Sequence, residues 1–184
     1  IIGGGPAGIE AAKIAAQKGH KVTLSDQGPR LGGTLVLASV TNRRIGNVVK
    51  YLDRQVRKLP IELRLNTEVT SDFVERIKPD FLVLALGGSA PALDMAVSKA
   101  ANVLDHHDVK EIFNGHAIAK GGFGQRLLSR CAALFARYFY EPSLIRWMLK
   151  FNYPFKERVA IIGGGFAGCE LGVTLAGRGK KISI

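Results

Sequence analysis

Glycine constrains this chain more than any other residue, because it recurs in one pattern at two places. Residues 1–10 read IIGGGPAGIE and residues 161–170 read IIGGGFAGCE, identical at eight of ten positions. Each copy contains Gly-x-Gly-x-x-Gly: Gly3, Gly5 and Gly8 in the first, Gly163, Gly165 and Gly168 in the second. The first glycine of such a pattern makes a tight strand-to-helix turn. The second lets the backbone approach a pyrophosphate, and the third lets helix and strand pack closely. The helix that follows offers unpaired N–H groups and a positive dipole end to phosphate. Two copies predict two dinucleotide sites and electron transfer between them.

Each copy has the context the motif needs. Ile1 and Ile2 read as the tail of a buried strand, and Ala7, Ile9, Ala11, Ala12, Ile14 and Ala15 as a closely packing helix that Gly19 stops. Residues 21–25 read as the next strand, ending at Asp26, where an acid can meet a ribose hydroxyl. The second copy repeats the order: a strand over 158–162, a helix from Phe166 to about Arg178, a stop at Gly179 and a strand from Lys181. The given sequence starts within a βαβ unit and ends just before the residue that would select a ribose 2′-hydroxyl or 2′-phosphate. An internal fragment of a longer protein is therefore expected.

Between the copies, residues 28–35 form a Gly-rich turn. Ile45, Val48, Val49, Leu52 and Val56 share one face of a predicted helix running to about Lys58. Residues 61–65 alternate as a strand, Thr67–Val69 read as a short strand segment, and 72–77 as a short helix. The apolar run 80–86 predicts a central parallel strand, buried on both faces. Alternating strands and helices with short links predict an α/β, Rossmann-like doubly wound parallel sheet. The expected organisation is a dinucleotide domain over 1–100, a helical insert over 101–157, and the first βα unit of a second Rossmann-like domain over 158–184.

The excess charge is uneven along the chain. The chain carries 26 Lys and Arg against 15 Asp and Glu, a net charge of +11. Residues 113–158 hold eight basic residues against Glu141 and Glu157, and ten of the fourteen aromatics. Residues 124–151 predict two basic amphipathic helices broken at Pro142, read either as a helical cover or as a surface that docks on a membrane or partner. No nucleic-acid-binding motif accompanies the charge, so nucleic acid is not expected as a partner. Asp105-His106-His107-Asp108 has metal-ligating types, but neighbouring side chains do not converge, and no metal site is expected. Two isolated cysteines, Cys131 and Cys169, argue against a disulfide framework and for a reducing, cytoplasmic setting. No run reaches the length of a membrane span.

The order GGGPAG, a strand-end acid, RLGGTL, LNTEV, KPDFLVLALGG and a second GGGFAG resembles the two-dinucleotide-binding flavoproteins. It is most similar to the C-terminal part of the old-yellow-enzyme-like NADH:flavin oxidoreductases, over roughly 1–90 and 156–184. The resemblance implies FAD on the first unit and NAD(P)H on the second, with electrons passing onward to an iron–sulfur and FMN barrel upstream or to another acceptor. It implies that Gly3, Gly5, Pro6, Ala7 and Gly8 cradle the FAD pyrophosphate, that Asp26 binds its ribose, and that Arg30, Gly33 and Thr34 lie along it. Val69 would meet the adenine through its backbone. Ala85, Leu86 and Gly87 match the family's Ala-Thr-Gly turn, with Leu in place of Thr. Gly163, Gly165, Phe166, Ala167 and Gly168 would take the nicotinamide dinucleotide pyrophosphate. Leu35 and Val36 follow Thr34 where the disulfide-reductase branch carries its redox cysteines, so thiol–disulfide exchange is not expected. No side chain is singled out as acid, base or nucleophile. The expected activity is flavin-dependent oxidation of NAD(P)H, with little or no turnover by residues 1–184 alone. The alternative is a non-catalytic nucleotide-binding module or docking adaptor.

Overall fold

The computed structural model describes residues 1–88, 103, 108 and 157–184. The expectations for the insert, including its helices, its membrane contact and most of the Asp105–Asp108 stretch, lie outside the described residues, as does the boundary at residue 100.

The first unit is a parallel sheet with helices packed on it. Pro6–Gln17 forms α1, Val22–Ser25 β1, Thr34–Thr41 α2, Arg43–Arg57 α3, Ile61–Arg64 β2 and Ser71–Ile77 α4. β1 pairs with β2 in parallel, with Val22 opposite Ile61 and Ser25 opposite Arg64. Ile2 bridges in parallel to Ser25 on one side and to Leu84 on the other. Its N–H donates to Val83 O at 2.9 Å and its carbonyl accepts from Ala85 N–H at 2.8 Å. The lateral order is thus β2, β1, the Ile2 segment and the Leu84 segment.

Small residues let α1 lie close to this sheet. Ile9, Ala12 and Ala16 recur at helical spacing and are buried against Val22 and Leu24 of β1, Leu31 and Val56 of α3. Burying a side chain such as Leu24 contributes about 1.5–3 kcal/mol. α3 starts at Asn42, whose side chain accepts from Arg44 N–H at 3.0 Å. α4 starts at Thr70, whose hydroxyl accepts from Phe73 N–H at 3.3 Å. Arg64 of β2 lies 5.4 Å from the Phe73 ring centroid, which ties α4 to the sheet.

The second unit repeats the first on a smaller scale. Arg158–Ala160 (β3) pairs in parallel with Lys181–Ser183 (β4), and Phe166–Ala176 (α5) connects them. α5 also packs against α2 of the first unit. The Rossmann-like α/β class read from the sequence is the one observed.

Three elements depart from expectation. α2 was not foreseen: its run TLVLASVT follows a Gly-rich turn and has no polar face to mark a helix. Thr67–Val69 is not a strand; Asn66 turns the chain at φ +51° and Thr67 bonds back to Asp26. The run 80–86 pairs only around Leu84, and Phe81 and Leu86 are 87% and 70% exposed. An apolar run signals a strand with two covered faces, but what covers them is decided by other segments.

Candidate functional site

The first glycine turn works by exclusion at two positions and by openness at a third. Gly3 has φ +108°, in the region that favours glycine, and an added Cβ would lie closer than 3.0 Å to the Ala85 carbonyl. A Cβ on Gly8 would collide with the Gly3 carbonyl. These contacts press α1 and the Leu84 segment onto the turn. A Cβ on Gly5 would meet nothing within 4 Å. Among the described residues nothing packs beside Gly5, and the space there suits the close approach of a ligand.

The remaining expected residues gather around this opening. Gly33 has φ +53°, and its Cβ would stand 3.0 Å from Gly5 Cα, so the Gly33–Thr34 turn and the start of α2 lie directly against the first loop. Gly32 N–H donates to Gly4 O at 2.7 Å. Asp26 accepts from Gly4 N–H through Oδ2 and from Gly28 N–H through Oδ1, each at 2.6 Å. Thr67 N–H donates to the Asp26 carbonyl at 2.9 Å, which brings the segment leading to half-buried Val69 to the same end of the sheet. Ala85 reaches the site through Gly3, and Gly87 turns the chain at φ +72° with Leu86 outward. Arg30 is half-buried within the same turn.

The α1 N-terminus can receive an anion. Gly5 caps it without a side-chain hydrogen bond, Ile9 N–H is bound to Gly5 O, and the first turn holds no acidic residue. Pro6 and Ala7 are exposed. Ala7 and Gly8 stand in the first turn of α1, at the positive end of the helix dipole.

The second turn has the same build. Gly163 has φ +114°, a Cβ on Gly168 would collide with the Gly163 carbonyl, and one on Gly165 would meet nothing within 4 Å among the described residues. Gly165 caps α5 without a side-chain bond. Phe166 is 85% exposed and Ala167 is open beside it. Cys169 is exposed, and its thiol donates to Gly164 O at 3.3 Å. Among the described residues no cluster of His, Cys, Asp and Glu is placed to hold a metal, and no helix is long and apolar enough to cross a membrane.

Sequence reasoning missed the pivotal position of α2. Its cap Gly33 lies against Gly5, and the helix is in contact with α5. The adjacent glycines 32 and 33, both at positive φ, were the available signal. Reasoning also missed the backbone partners of Asp26.

Two Rossmann-like glycine turns, each opening a helix, are the build of a nucleotide-binding protein. Over residues 1–184 the chain matches the pyridine nucleotide-disulphide oxidoreductase family, and it belongs to that family. It is 37% identical over 90 residues to an N,N-dimethylglycine/sarcosine dehydrogenase of Chromohalobacter salexigens, covering 48% of this chain and 13% of that protein. It is 25% identical over 186 residues to an NADH oxidase of Thermoanaerobacter brockii, covering 100% of this chain and 23% of that protein. In fold it is similar to a 2-naphthoyl-CoA reductase solved with 2-naphthoyl-CoA, with TM-score 0.67 and 24% identity over 99% of this chain and 22% of that one. The chain thus spans less than a quarter of the length of these relatives. The family is one of flavin- and pyridine-nucleotide-dependent oxidoreductases, and FAD and NAD(P)H are the cofactors that membership implies.

Proposed function

We propose that this chain is the nucleotide-binding part of an FAD-dependent oxidoreductase that takes hydride from NAD(P)H and relays electrons to a further acceptor. The observation that carries this reading is the duplicated glycine turn, each copy at positive φ at its first glycine, closed at its third and, among the described residues, open at its second. The residues fit the two cofactors because the vacant space beside Gly5 and Gly165 admits a pyrophosphate where any side chain would block it.

In this reading Gly3, Gly5, Pro6, Ala7 and Gly8 hold the FAD pyrophosphate, with the Ala7 and Gly8 amides donating to it. Asp26 faces the adenosine ribose, Val69 the adenine, and Arg30, Gly33, Thr34, Ala85, Leu86 and Gly87 line the remainder. Gly163, Gly165, Phe166, Ala167 and Gly168 hold the pyrophosphate of NAD(P)H. When bound, the flavin supplies the redox chemistry, accepting hydride and releasing electrons onward. The protein's own contribution is alignment, and the packing of α5 on α2 supports a fixed relation between the two turns. α2 carries Leu35 and Val36 after Thr34, which supports transfer to an acceptor other than a dithiol.

The domain limits proposed are 1–100 for the FAD unit, 101–157 for the basic insert and 158–184 for the start of the NAD(P) unit, in a protein with a cytoplasmic setting. The short span relative to the relatives supports an acceptor domain elsewhere in the protein, such as an upstream FMN and iron–sulfur barrel. Anaerobic titration of the full-length protein with NADH and with NADPH, following the flavin absorbance band, tests the reading. Bleaching by either nucleotide is expected. A bound flavin that neither nucleotide reduces, or no flavin at all, would favour the non-catalytic module.

A further inference from the structure

Asp26 is hydrogen-bonded to four backbone positions in three separate segments. Its Oδ2 accepts from Gly4 N–H and its Oδ1 from Gly28 N–H, both at 2.6 Å. Its own N–H donates to Arg64 O at 2.9 Å, and its carbonyl accepts from Thr67 N–H at 2.9 Å. The partners are themselves joined: Gly28 O accepts from Asn66 N–H at 3.0 Å, and Gly4 O accepts from Gly32 N–H at 2.7 Å. Gly4 therefore donates through its N–H to one end of the 26–33 turn and accepts through its carbonyl from the other end. The carboxylate closes that ring.

A carboxylate suits this place for a chemical reason. It is acceptor-only, with lone pairs enough for two backbone donors and more. Hydrogen bonds from N–H to an ionised acceptor are short and roughly twice as strong as neutral ones. An amide in its place would turn one acceptor into an NH2 donor facing a backbone N–H. Alanine would leave two partly buried donors unmet, at the cost such orphans carry.

The geometry points to Asp26 as the positioning residue of the first nucleotide site. It holds the Gly3–Gly5 loop against the 26–33 turn, and so sets the gap between Gly5 and Gly33 before a nucleotide arrives. This is a role beyond contact with a ribose, and it rests on the proposed FAD reading only for the identity of the ligand. A site held open in advance spares the bound state the ordering of its own loops.

Asp26→Asn in the full-length protein tests it, with amide hydrogen exchange read by mass spectrometry on the flavin-free form and with binding of FAD and of an FAD analogue lacking both adenosine ribose hydroxyls. The expected result is exchange about tenfold faster in peptides covering Gly4 and Gly28. Binding of FAD and of the analogue should both weaken by about tenfold, since the loss lies in the loops and not in the hydroxyls. Weaker FAD binding with unchanged exchange and an unaffected analogue would overturn the proposal in favour of ribose contact alone. Faster exchange with unchanged affinity would overturn it too, by showing a brace that positions nothing. Should the variant fail to fold, the wild-type flavin-free protein still decides: slow exchange at Gly4 and Gly28 is required, and open-loop rates there would overturn the proposal. A wild type that binds no FAD would sink the functional reading, whereas the exchange data would still report on the brace.

Discussion

The two glycine turns share eight of ten residues and almost the same local backbone, yet stand in different surroundings. Their first glycines have φ of +108° and +114°, and their third glycines each exclude a Cβ against the carbonyl of the first. Those features depend on residues within six positions of one another, and they recur wherever the sequence recurs. The neighbours differ. A Cβ on Gly3 would strike the Ala85 carbonyl, whereas one on Gly163 would meet nothing within 4 Å among the described surroundings. A Cβ on Gly4 would meet Leu31 and Asp26 at 2.7 and 3.2 Å, whereas among the described residues one on Gly164 would meet only the end of Ile184 at 3.8 Å. Shape in these turns is local, while enclosure comes from segments far along the chain.

The strongest way to break this comparison is to fill the position both turns keep shut. Gly8→Ala should destabilise the first unit by at least about 3 kcal/mol and abolish flavin binding, because the added carbon meets backbone that cannot move aside. Gly168→Ala should do the same to the second unit. Denaturant unfolding and the flavin content of the purified variants check both. A mild effect at either site would mean that the helix can slide off its turn.

The first glycines sharpen the contrast. Gly3→Ala and Gly163→Ala both impose positive φ on alanine, at a cost of about 1–3 kcal/mol each. Gly3→Ala adds the collision with Ala85 and should be more damaging by about 1 kcal/mol or more. Equal losses in urea melts would show that the Leu84 segment yields freely.

The central glycines separate binding from folding. Gly5→Ala should leave stability within about 0.5 kcal/mol, since no described residue would meet the added carbon. It should weaken FAD binding at least about tenfold, or about 1.4 kcal/mol. Gly165→Ala should act likewise on NAD(P)H and spare FAD. Flavin titration of apoprotein and nucleotide titration of holoprotein measure the two, and unchanged affinities would count against both sites.

The smallest effect lies on the sheet surface. The Glu62 carboxyl is held below its ordinary value of 4.5, first by the Thr23 hydroxyl, which donates to it at 2.8 Å, and then by Arg64. A lowered folded-state pKa contributes stability that is present above the ordinary carboxylate range and lost as pH falls through the lowered value. Thr23→Val should shrink that acid-side loss slightly and leave neutral-pH melting almost unchanged. A melting temperature measured against pH for both proteins shows it, and parallel curves would remove Thr23 from the account.

Legibility followed the same division between local and distant causes. α1, α3 and α4 and the strands β1 and β2 could be read because glycine stops, side-chain caps and apolar spacing all act within a few residues. α2 could not be read, since TLVLASVT has hydroxyl residues but no charged face to mark a helix, and it packs on α3, a contact made in space. The segment 67–69 escaped as well. Its short β-favouring residues were overruled by Asn66 at positive φ and by the Thr67 bond to Asp26. Asp26 was recognisable as a strand-end acid, but nothing in its neighbours disclosed that Gly4 and Gly28 would occupy its oxygens.

By itself, then, the sequence determined the two glycine turns, the helices they launch and the family to which the chain belongs. Each of these needs only residues close in the chain, where sterics at φ above zero and helical periodicity act directly. Only the tertiary structure decided that Ala85 would close over Gly3, that Gly33 would rest on Gly5, and that one carboxylate would tie the first loop to the turn beside it. Those contacts join segments about twenty to eighty residues apart, and sequence pattern carries no distance across such separations until the sheet is formed.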